Sequence, residues 1–346
     1  MPLFIDTMPS DAAAEAEPAN CLTIGLVNNM PDPAVEATER QFVDLIRAAA
    51  SDVVVRLRLY FIPEVPRSDE MRCELDDRYR DIAELWDAPP LDGLIVTGTE
   101  PRAASLIDEP YWSKLADLID WTKANTSSTI WSCLAAHAAV LHADGIQRQR
   151  LPQKRFGVFE CEMAALHPMT KRVDWPLYVP HSRYNDLPEP ALASCGYKII
   201  SRSATAGVDM FARLDRSFFL FFQGHPEYEA STLLREYRRD VIRFLKGERP
   251  DYPGLPEGFF AAPAAAAANA FRARALAERD EELAAGFPFE FLAGGLQSTW
   301  QPSAISIYEK WIAFLRARKA EARPMPALLR RTWRDWPAAE PVADPT

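Results

Sequence analysis

Short strand-like runs rich in aliphatic, β-branched and small residues alternate with helical patterns along the first half of the chain. Aliphatic and β-branched runs of this kind are typical of strands buried on both faces, and they occupy residues 21–27, 53–62, 91–98 and 127–133. Apolar residues recur with helical spacing at 36–50, 111–122 and 134–145, the last closed by Gly145. Strands alternating with helices predict an open, mostly parallel, doubly wound α/β sheet with its active site at the carboxyl ends of the strands.

The pattern becomes more strand-like after residue 156. Runs at 157–163, 176–184, 196–203 and 218–224 predict a mixed or antiparallel extension of the same sheet. Helical patterns follow at about 230–245 and 303–319. We therefore predict a disordered Ala-, Pro- and acid-rich lead-in at 1–20, one α/β domain at 21–256, and an Ala/Arg-rich helical extension at 257–346.

Composition and charge limit the classes of function. The 346 residues carry a net charge of −10, so no overall positive field attracts nucleic acid, and local cations and backbone amides must bind any anionic substrate. No apolar run is long enough to span a membrane and the N-terminus lacks a secretory signal, which predicts a cytoplasmic protein. The five cysteines are odd in number and lack a CxxC pair, which argues against a disulfide framework and a metal site.

Cys133 lies where an apolar strand turns directly into a helix, between small residues in the run WSCLAA. Such a turn exposes a nucleophile at the edge of the sheet and directs helix N–H groups at the group that it attacks. The alternative is a buried structural cysteine, since free cysteine is among the residues most often found in cores. The position alone leaves both interpretations open.

His225 and Glu227 occur in a second strand-end motif, QGHPE, after the run FFLFF. Pro226 holds the chain extended, and residues two apart on an extended chain project to the same side, so Glu227 can orient the imidazole. Each histidine taken singly is equally well a structural residue. Together with Cys133, however, the motif supplies the nucleophile, the base and the orienting group of a catalytic triad at adjacent strand ends.

Gly98 follows another buried strand, in VTGTEP. A glycine there lets a backbone N–H approach a ligand oxygen, and with the amide of Leu134 it would form an oxyanion hole. An ordinary strand-to-helix turn is the alternative.

The motifs together resemble the class I glutamine amidotransferase-like, flavodoxin-like fold. Within it, the chain is similar to the homoserine O-succinyltransferase (MetA) family over roughly residues 22–260. The matching stretches are NMP, TERQ, LIVTG, PYW, CLAAHAAVLHADGI, LPQKRFGVF, PHSRYN, SATAGVD and QGHPEYEASTLLREYRRD. Several positions depart from the family: Leu134 replaces the usual Trp, and Asp32-Pro33 follow MP where the family usually has a Lys. Arg102 falls near the position that separates succinyl from acetyl donors, where Gly or Glu is usual.

The resemblance implies the role of each matching residue. Cys133 carries the acyl-thioester, His225 is the proton acceptor and Glu227 is its partner. Lys154, Ser182 and Arg239 fall on substrate-binding positions, and a guanidinium is well suited to the carboxylate of homoserine. Arg102 has the chemistry to pair with the free carboxylate of a succinyl group, which favours a dicarboxylic acyl donor.

The predicted activity is ping-pong acyl transfer from succinyl-CoA, through a thioester on Cys133, to the hydroxyl of L-homoserine, early in methionine biosynthesis. We expect no bound cofactor, only small-molecule substrates, no nucleic acid or membrane partner, and the homodimer that the resemblance implies. Three alternatives remain open: acetyl transfer or a serine acceptor on the same fold, an amidotransferase-like hydrolase that releases ammonia, and a non-catalytic binding protein.

Overall fold

The strands build one 11-stranded sheet. The structure, a computed structural model, describes residues 3–6 and 21–321. The strands are β1 (Leu3–Asp6), β2 (Cys21–Val27), β3 (Val54–Phe61), β4 (Arg80–Asp81), β5 (Leu91–Val96), β6 (Thr126–Ser132), β7 (Gln149–Met163), β8 (Leu177–Asp186), β9 (Lys198–Ser203), β10 (Gly207–Leu214) and β11 (Phe218–Phe222).

The helices lie between and after these strands, as the alternating pattern predicted. They are α1 (Val35–Ala49), α2 (Asp69–Arg78), α3 (Glu84–Asp87), α4 (Trp112–Asn125), α5 (Leu134–Asp144), α6 (Glu189–Ser194), α7 (Thr232–Leu245), α8 (Ala262–Ala277), α9 (Phe289–Ala293) and α10 (Gln301–Ala320). Helix α2 has no counterpart in the sequence prediction because it buries only Leu75 and so lacks apolar periodicity. Its start is fixed instead by Ser68, whose hydroxyl accepts from the Met71 N–H at 3.2 Å.

The strand order is β1-β3-β2-β5-β6-β11-β10-β9-β7-β8, with β4 beside β3. Neighbouring strands from β1 to β11 are parallel, and those from β11 to β8 are antiparallel. The predicted open, mostly parallel sheet with an antiparallel extension is therefore confirmed. The pairing of β6 with β11 matters for function, because it places two strand ends far apart in sequence side by side.

Helices cover both faces of the sheet, and alternate residues of each strand point to opposite faces. In β6, Ile130 packs in the cluster that contains α1 and α10. Its neighbour Trp131 packs in the cluster that contains α4 and α5. Both side chains are fully buried, which explains why large apolar residues occupy adjacent positions of this strand, one for each face.

Helix α10 packs directly on the central sheet. A Cβ at Gly93 of β5 would lie 2.6 Å from Cδ1 of Leu315 and 2.8 Å from the Trp311 ring, so the missing side chain lets the helix approach. The indole N–H of Trp311 donates to the hydroxyl of Ser128 at 2.8 Å. The boundary at residue 256 stays a prediction, but a helix beyond it contributes to the core of the sheet.

The N-terminal prediction needs a correction, because Leu3–Asp6 forms an edge strand rather than part of a disordered lead-in. This strand pairs in parallel with β3, and Asp6 forms an ion pair with Arg58 at 3.2 Å. The short apolar run could not be separated by composition from the Ala- and acid-rich residues after it. The rest of the predicted lead-in, and residues 322–346 of the extension, lie outside the described residues. In residues 3–6 and 21–321, no helix has the length and apolar character needed to cross a membrane.

Candidate active site

Cys133 lies at the junction of β6 and α5, at the N-cap position of the helix. Its φ of 52° belongs to the left-handed region that residues with a side chain rarely adopt. Its backbone N–H donates to the carbonyl of Phe222 at 2.7 Å, which ties the turn to the end of β11. The strained turn holds the half-buried thiol at the carboxyl edge of the sheet, where a nucleophile is accessible to substrate.

His225 lies beside this thiol because of the strand pairing. Strand β11 runs parallel to β6 with Phe222 opposite Ser132, so the segment after β11 leaves the sheet next to Cys133. Nδ1 of His225 lies 2.7 Å from Oε1 of Glu227. The three side chains predicted as a triad are thus together at one edge of the sheet.

The surroundings of His225 favour its protonated form. Burial lowers the pKa of the imidazole, but Glu227 and Cys133 raise it through charge and hydrogen bonding, and the resulting pKa lies well above 6.5. The ring also stacks on Tyr228, with centroids 4.2 Å apart and planes inclined by 17°. His225 therefore rests as an imidazolium held between a carboxylate and the nucleophile.

Gly98 lies against the first residue of α5. A Cβ at Gly98 would be 2.9 Å from the backbone nitrogen of Leu134, so the two backbones are in close contact. The Leu134 amide is in the first turn of its helix, where N–H groups have no partner within the helix. The Thr97 hydroxyl donates to the carbonyl of Gly98 at 3.0 Å and accepts from the Asn29 N–H at 2.8 Å. The two amides predicted to form an oxyanion hole are adjacent, and their loop is fixed.

The predicted substrate residues meet on acidic side chains of α7. Nζ of Lys154 lies 3.1 Å from Oδ2 of Asp240 and 3.6 Å from Oε2 of Glu236. The hydroxyl of Ser182 donates a short hydrogen bond to Glu236. Nε and Nη2 of Arg239 each lie 3.1 Å from Oδ1 of Asp240. Lys154, Ser182 and Arg239 therefore belong to one network, joined by two carboxylates.

This network reaches His225 through Tyr228. The Tyr228 hydroxyl donates to Oε1 of Glu236 at 2.7 Å, while its ring stacks on His225. Burial alone would raise the pKa of Asp240, but the neighbouring Lys154 and Arg239 outweigh it and lower the pKa below its ordinary value. The carboxyl is therefore ionised at neutral pH. The network thus brings fixed charges of both signs to the side of the imidazole.

Sequence reasoning missed Glu236 and Asp240. A signal for them exists, since residues four apart on a helix share one face. Both occur in REYRRD, the stretch that carries Arg239. The spacing shows that they are neighbours, but not that Lys154 and Ser182 would face them.

Arg102 follows Gly98 by four residues on the same loop. Its guanidinium is exposed and approaches the carbonyl of Pro66 at 3.5 Å. Its backbone N–H and that of Ala103 donate to Oε1 of Glu109 at 2.6 and 2.7 Å. The structure therefore places Arg102 on the outer side of the loop that begins at Gly98. Among the described residues, no group of His, Cys, Asp and Glu side chains is arranged to hold a metal ion.

A family model described as "HTS: Homoserine O-succinyltransferase" matches residues 5–322. The chain belongs to the homoserine O-succinyltransferase family. Its curated relatives include homoserine O-succinyltransferases of Rhodopseudomonas palustris, 51% identical over 297 residues that cover 86% of this chain and 89% of the relative, and of Bradyrhizobium japonicum, 50% identical over 295 residues that cover 85% and 90%. The predicted family is confirmed, and the chain is an enzyme of the acyltransferase class.

Solved structures similar to this chain include two glutamine amidotransferases. One, from Methylobacillus flagellatus, is 17% identical and covers 85% of this chain and 95% of its own, with a TM-score of 0.48. The other, from Thermotoga maritima, is 11% identical and covers 86% and 98%, with a TM-score of 0.47.

The homoserine O-succinyltransferase match extends past the stretch of resemblance found in the sequence and includes α10. This helix region supports the segment that carries His225 and Glu227. The indole N–H of Trp300 donates to the carbonyl of Tyr228 at 2.8 Å. Burial, with a further contribution from the Glu227 carboxylate, raises the pKa of Tyr308 well above 10. The C-terminal helices therefore form part of the structure that holds His225 and Glu227 in place.

Proposed function

We propose that this member of the homoserine O-succinyltransferase family transfers a succinyl group from succinyl-CoA to the hydroxyl of L-homoserine through a thioester on Cys133. The observation that carries the proposal is the contact of Cys133, His225 and Glu227 at one strand edge, beside a network of paired charges on α7. The reaction serves methionine biosynthesis. Succinyl-CoA is a co-substrate, and no bound cofactor is required; the homodimer and the cytoplasmic location remain predictions.

The first half-reaction acylates the enzyme. The Cys133 thiolate attacks the thioester carbonyl of succinyl-CoA, and the amides of Gly98 and Leu134 stabilise the oxyanion; one such donor typically lowers the barrier by about 3 kcal/mol. The carbon–sulfur bond to CoA then breaks. The leaving thiolate takes the proton of the His225 imidazolium, so free CoA thiol and a succinyl-enzyme remain.

Acylation itself prepares His225 for the second half-reaction. In the free enzyme, the charge of Cys133 is one of the causes that raise the pKa of the imidazole. A thioester sulfur carries no charge, so this cause disappears and the pKa of His225 falls. The neutral imidazole then accepts the proton of the homoserine hydroxyl as its oxygen attacks the thioester. Expulsion of the Cys133 thiolate forms the ester and restores the ion pair.

The network on α7 has the charges that a zwitterionic acceptor requires. Arg239 has 44% of its side chain exposed and presents a guanidinium to the carboxylate of homoserine. Within the network, Glu236 is linked to His225 through Tyr228, and its carboxylate is suited to the ammonium group of homoserine. Lys154 and Ser182 keep Glu236 in position. We further propose that Arg102, on the loop after Gly98, influences the choice of acyl donor.

Intact-protein mass spectrometry after brief incubation with succinyl-CoA tests this function. We expect a succinyl-sized adduct that maps to Cys133 and disappears when L-homoserine is added. The Cys133→Ala variant, which keeps the fold because Ala lacks only the thiol, is expected to show no adduct. An adduct formed from acetyl-CoA or from glutamine, but not from succinyl-CoA, would refute succinyl-CoA as the donor but would still support Cys133 as the nucleophile.

A further inference from the structure

Three buried polar atoms near the nucleophile have no hydrogen-bond partner among the described residues: Nη1 of Arg148, the hydroxyl of Tyr111 and Oε2 of Glu109. We call these three residues the Arg148 cluster. Tyr111 is 2% exposed and Glu109 is 4% exposed. Arg148 forms no ion pair within 4 Å in residues 3–6 and 21–321. A half-buried guanidinium without a partner is unusual, because a buried charge is normally paired.

The Arg148 cluster lies within electrostatic range of the nucleophile. Burial lowers the pKa of Arg148, while Tyr111, Glu109 and Cys133 raise it, so all three lie within electrostatic range of the guanidinium. Oε1 of Glu109 accepts from the two loop amides that follow Gly98 by four and five residues. Glu109 is thus tied to the loop that supplies one oxyanion donor, while Arg148, from the segment between α5 and β7, brings its guanidinium within electrostatic range of both Glu109 and Cys133.

The unpartnered donors fit a carboxylate. In a four-carbon acyl group on Cys133, the terminal carboxylate carbon lies about 4 Å from the thioester carbon, given carbon–carbon bonds of about 1.5 Å. Arg148 offers a planar fork and Tyr111 a hydroxyl, which are the donors that carboxylates prefer. Glu109 already accepts two amide hydrogens, so Arg148 is the group in the cluster that a carboxylate would satisfy.

We infer that Arg148 binds the free carboxylate of the succinyl group, with the Tyr111 hydroxyl as a second donor, and so makes the enzyme select a dicarboxylic acyl-CoA. The inference rests on the proposed function and adds to it a residue that discriminates between donors. It assigns the direct contact to Arg148 rather than to Arg102, whose guanidinium is exposed and approaches Pro66.

The test is donor discrimination by the Arg148→Met variant, measured as kcat/KM for succinyl-CoA and for butyryl-CoA, which has the same four-carbon chain without the carboxylate. We expect a loss of about 10- to 100-fold with succinyl-CoA, the range for one charge-assisted hydrogen bond. With butyryl-CoA we expect little change, and the KM for homoserine should be unaltered. The melting temperature is measured alongside to show that the variant is folded, since Arg148 lies within electrostatic range of Glu109 and Tyr111.

Arg150→Met is the matched control. Arg150 lies two residues further along, and its guanidinium lies over the ring of Tyr184 at 4.6 Å. Its succinyl-to-butyryl ratio should equal that of the unsubstituted enzyme. Arg102→Met is measured in parallel, since a change of donor preference in that variant and not in Arg148→Met would move the contact to Arg102.

Two further results would overturn the inference. An equal loss with both donors in Arg148→Met would mean that the residue only supports the loop, and no loss with either would mean that it has no role in donor binding. A different failure concerns the proposed function: an unsubstituted enzyme that forms no succinyl adduct on Cys133 but accepts another acyl donor would refute succinyl transfer itself, and the role of Arg148 with it.

Discussion

The two sides of the active site differ in how their polar groups are satisfied. On the acceptor side, next to α7, Lys154 and Arg239 are paired with carboxylates at 3.1 Å. On the proposed donor side, one buried polar atom of each of Arg148, Tyr111 and Glu109 has no hydrogen-bond partner within residues 3–6 and 21–321. The α7 network reaches His225 through Tyr228, and the Arg148 guanidinium lies within electrostatic range of Cys133, so the two sides flank the same pair of residues.

The difference shows how each substrate is recognised. An unsatisfied buried polar group costs about 1–3 kcal/mol, and a ligand that satisfies it gains that free energy on binding. The donor side therefore favours an acyl group that brings its own carboxylate. On the acceptor side the charges are paired before homoserine arrives, so the zwitterion must exchange partners with ions already in place. Such a site selects a ligand that carries both charges at the right spacing, because a ligand with only one of them leaves a carboxylate or a cation of the site unpaired.

Gly98→Ala should have the largest effect, because it acts on the step that both sides share. The added Cβ would lie 2.9 Å from the backbone nitrogen of Leu134, which cannot move without displacing α5. We expect kcat to fall by about 100- to 1,000-fold, as when an oxyanion donor is removed, with succinyl-CoA and butyryl-CoA affected alike. Gly295→Ala is the control, since a Cβ there meets nothing within 4 Å. A loss limited to one donor would contradict the assignment of Gly98 to the oxyanion hole.

Glu227→Gln should have the second-largest effect, a loss of about 100-fold in kcat, which is typical for weakening a general base. The Glu227 carboxylate raises the pKa of His225, so without it the imidazole loses its proton at lower pH. The acid limb of the kcat–pH profile should therefore move down by about one pH unit or more.

The neighbouring Glu229→Gln serves as control for this pH experiment. Glu229 pairs with Arg40 at 2.7 Å and does not contact the imidazole. Its variant should keep the acid limb where it is. If the acid limb of Glu227→Gln also stays in place, His225 is not the base whose proton limits the second half-reaction.

Arg239→Met should have the smallest of these effects and should separate the two sides. We expect the KM for homoserine to rise by about 10- to 50-fold, the loss of one charge-assisted contact. Formation of the succinyl adduct on Cys133 should be unchanged. Arg238→Met is the control on the same helix, because its guanidinium lies over the ring of Phe289 at 5.6 Å. Slower adduct formation in Arg239→Met would show that the donor also depends on α7.

Several features of the fold and the site could be predicted from the sequence because they are local. A continuous aliphatic and β-branched run such as residues 21–27 is typical of a strand buried on both faces of a sheet, and a thiol between a strand and a helical pattern lies at a strand end. The closure of α5 by Gly145, whose φ is 69°, is likewise a local property. The edge strand at Leu3–Asp6 was missed because four residues give too short a pattern beside a polar stretch.

Tertiary structure alone decided which of these strand ends became neighbours and which charges found partners. The pairing of β11 with β6 brings His225 to Cys133 across 91 intervening residues, a step that no local pattern specifies. Whether an arginine is paired depends on every group within about 4 Å of its guanidinium, and those groups come from distant parts of the chain. Sequence therefore singled out Cys133 and His225 as candidate nucleophile and base, whereas only the folded arrangement showed that, in the part of the chain that the structure describes, Arg239 is paired and Arg148 is not.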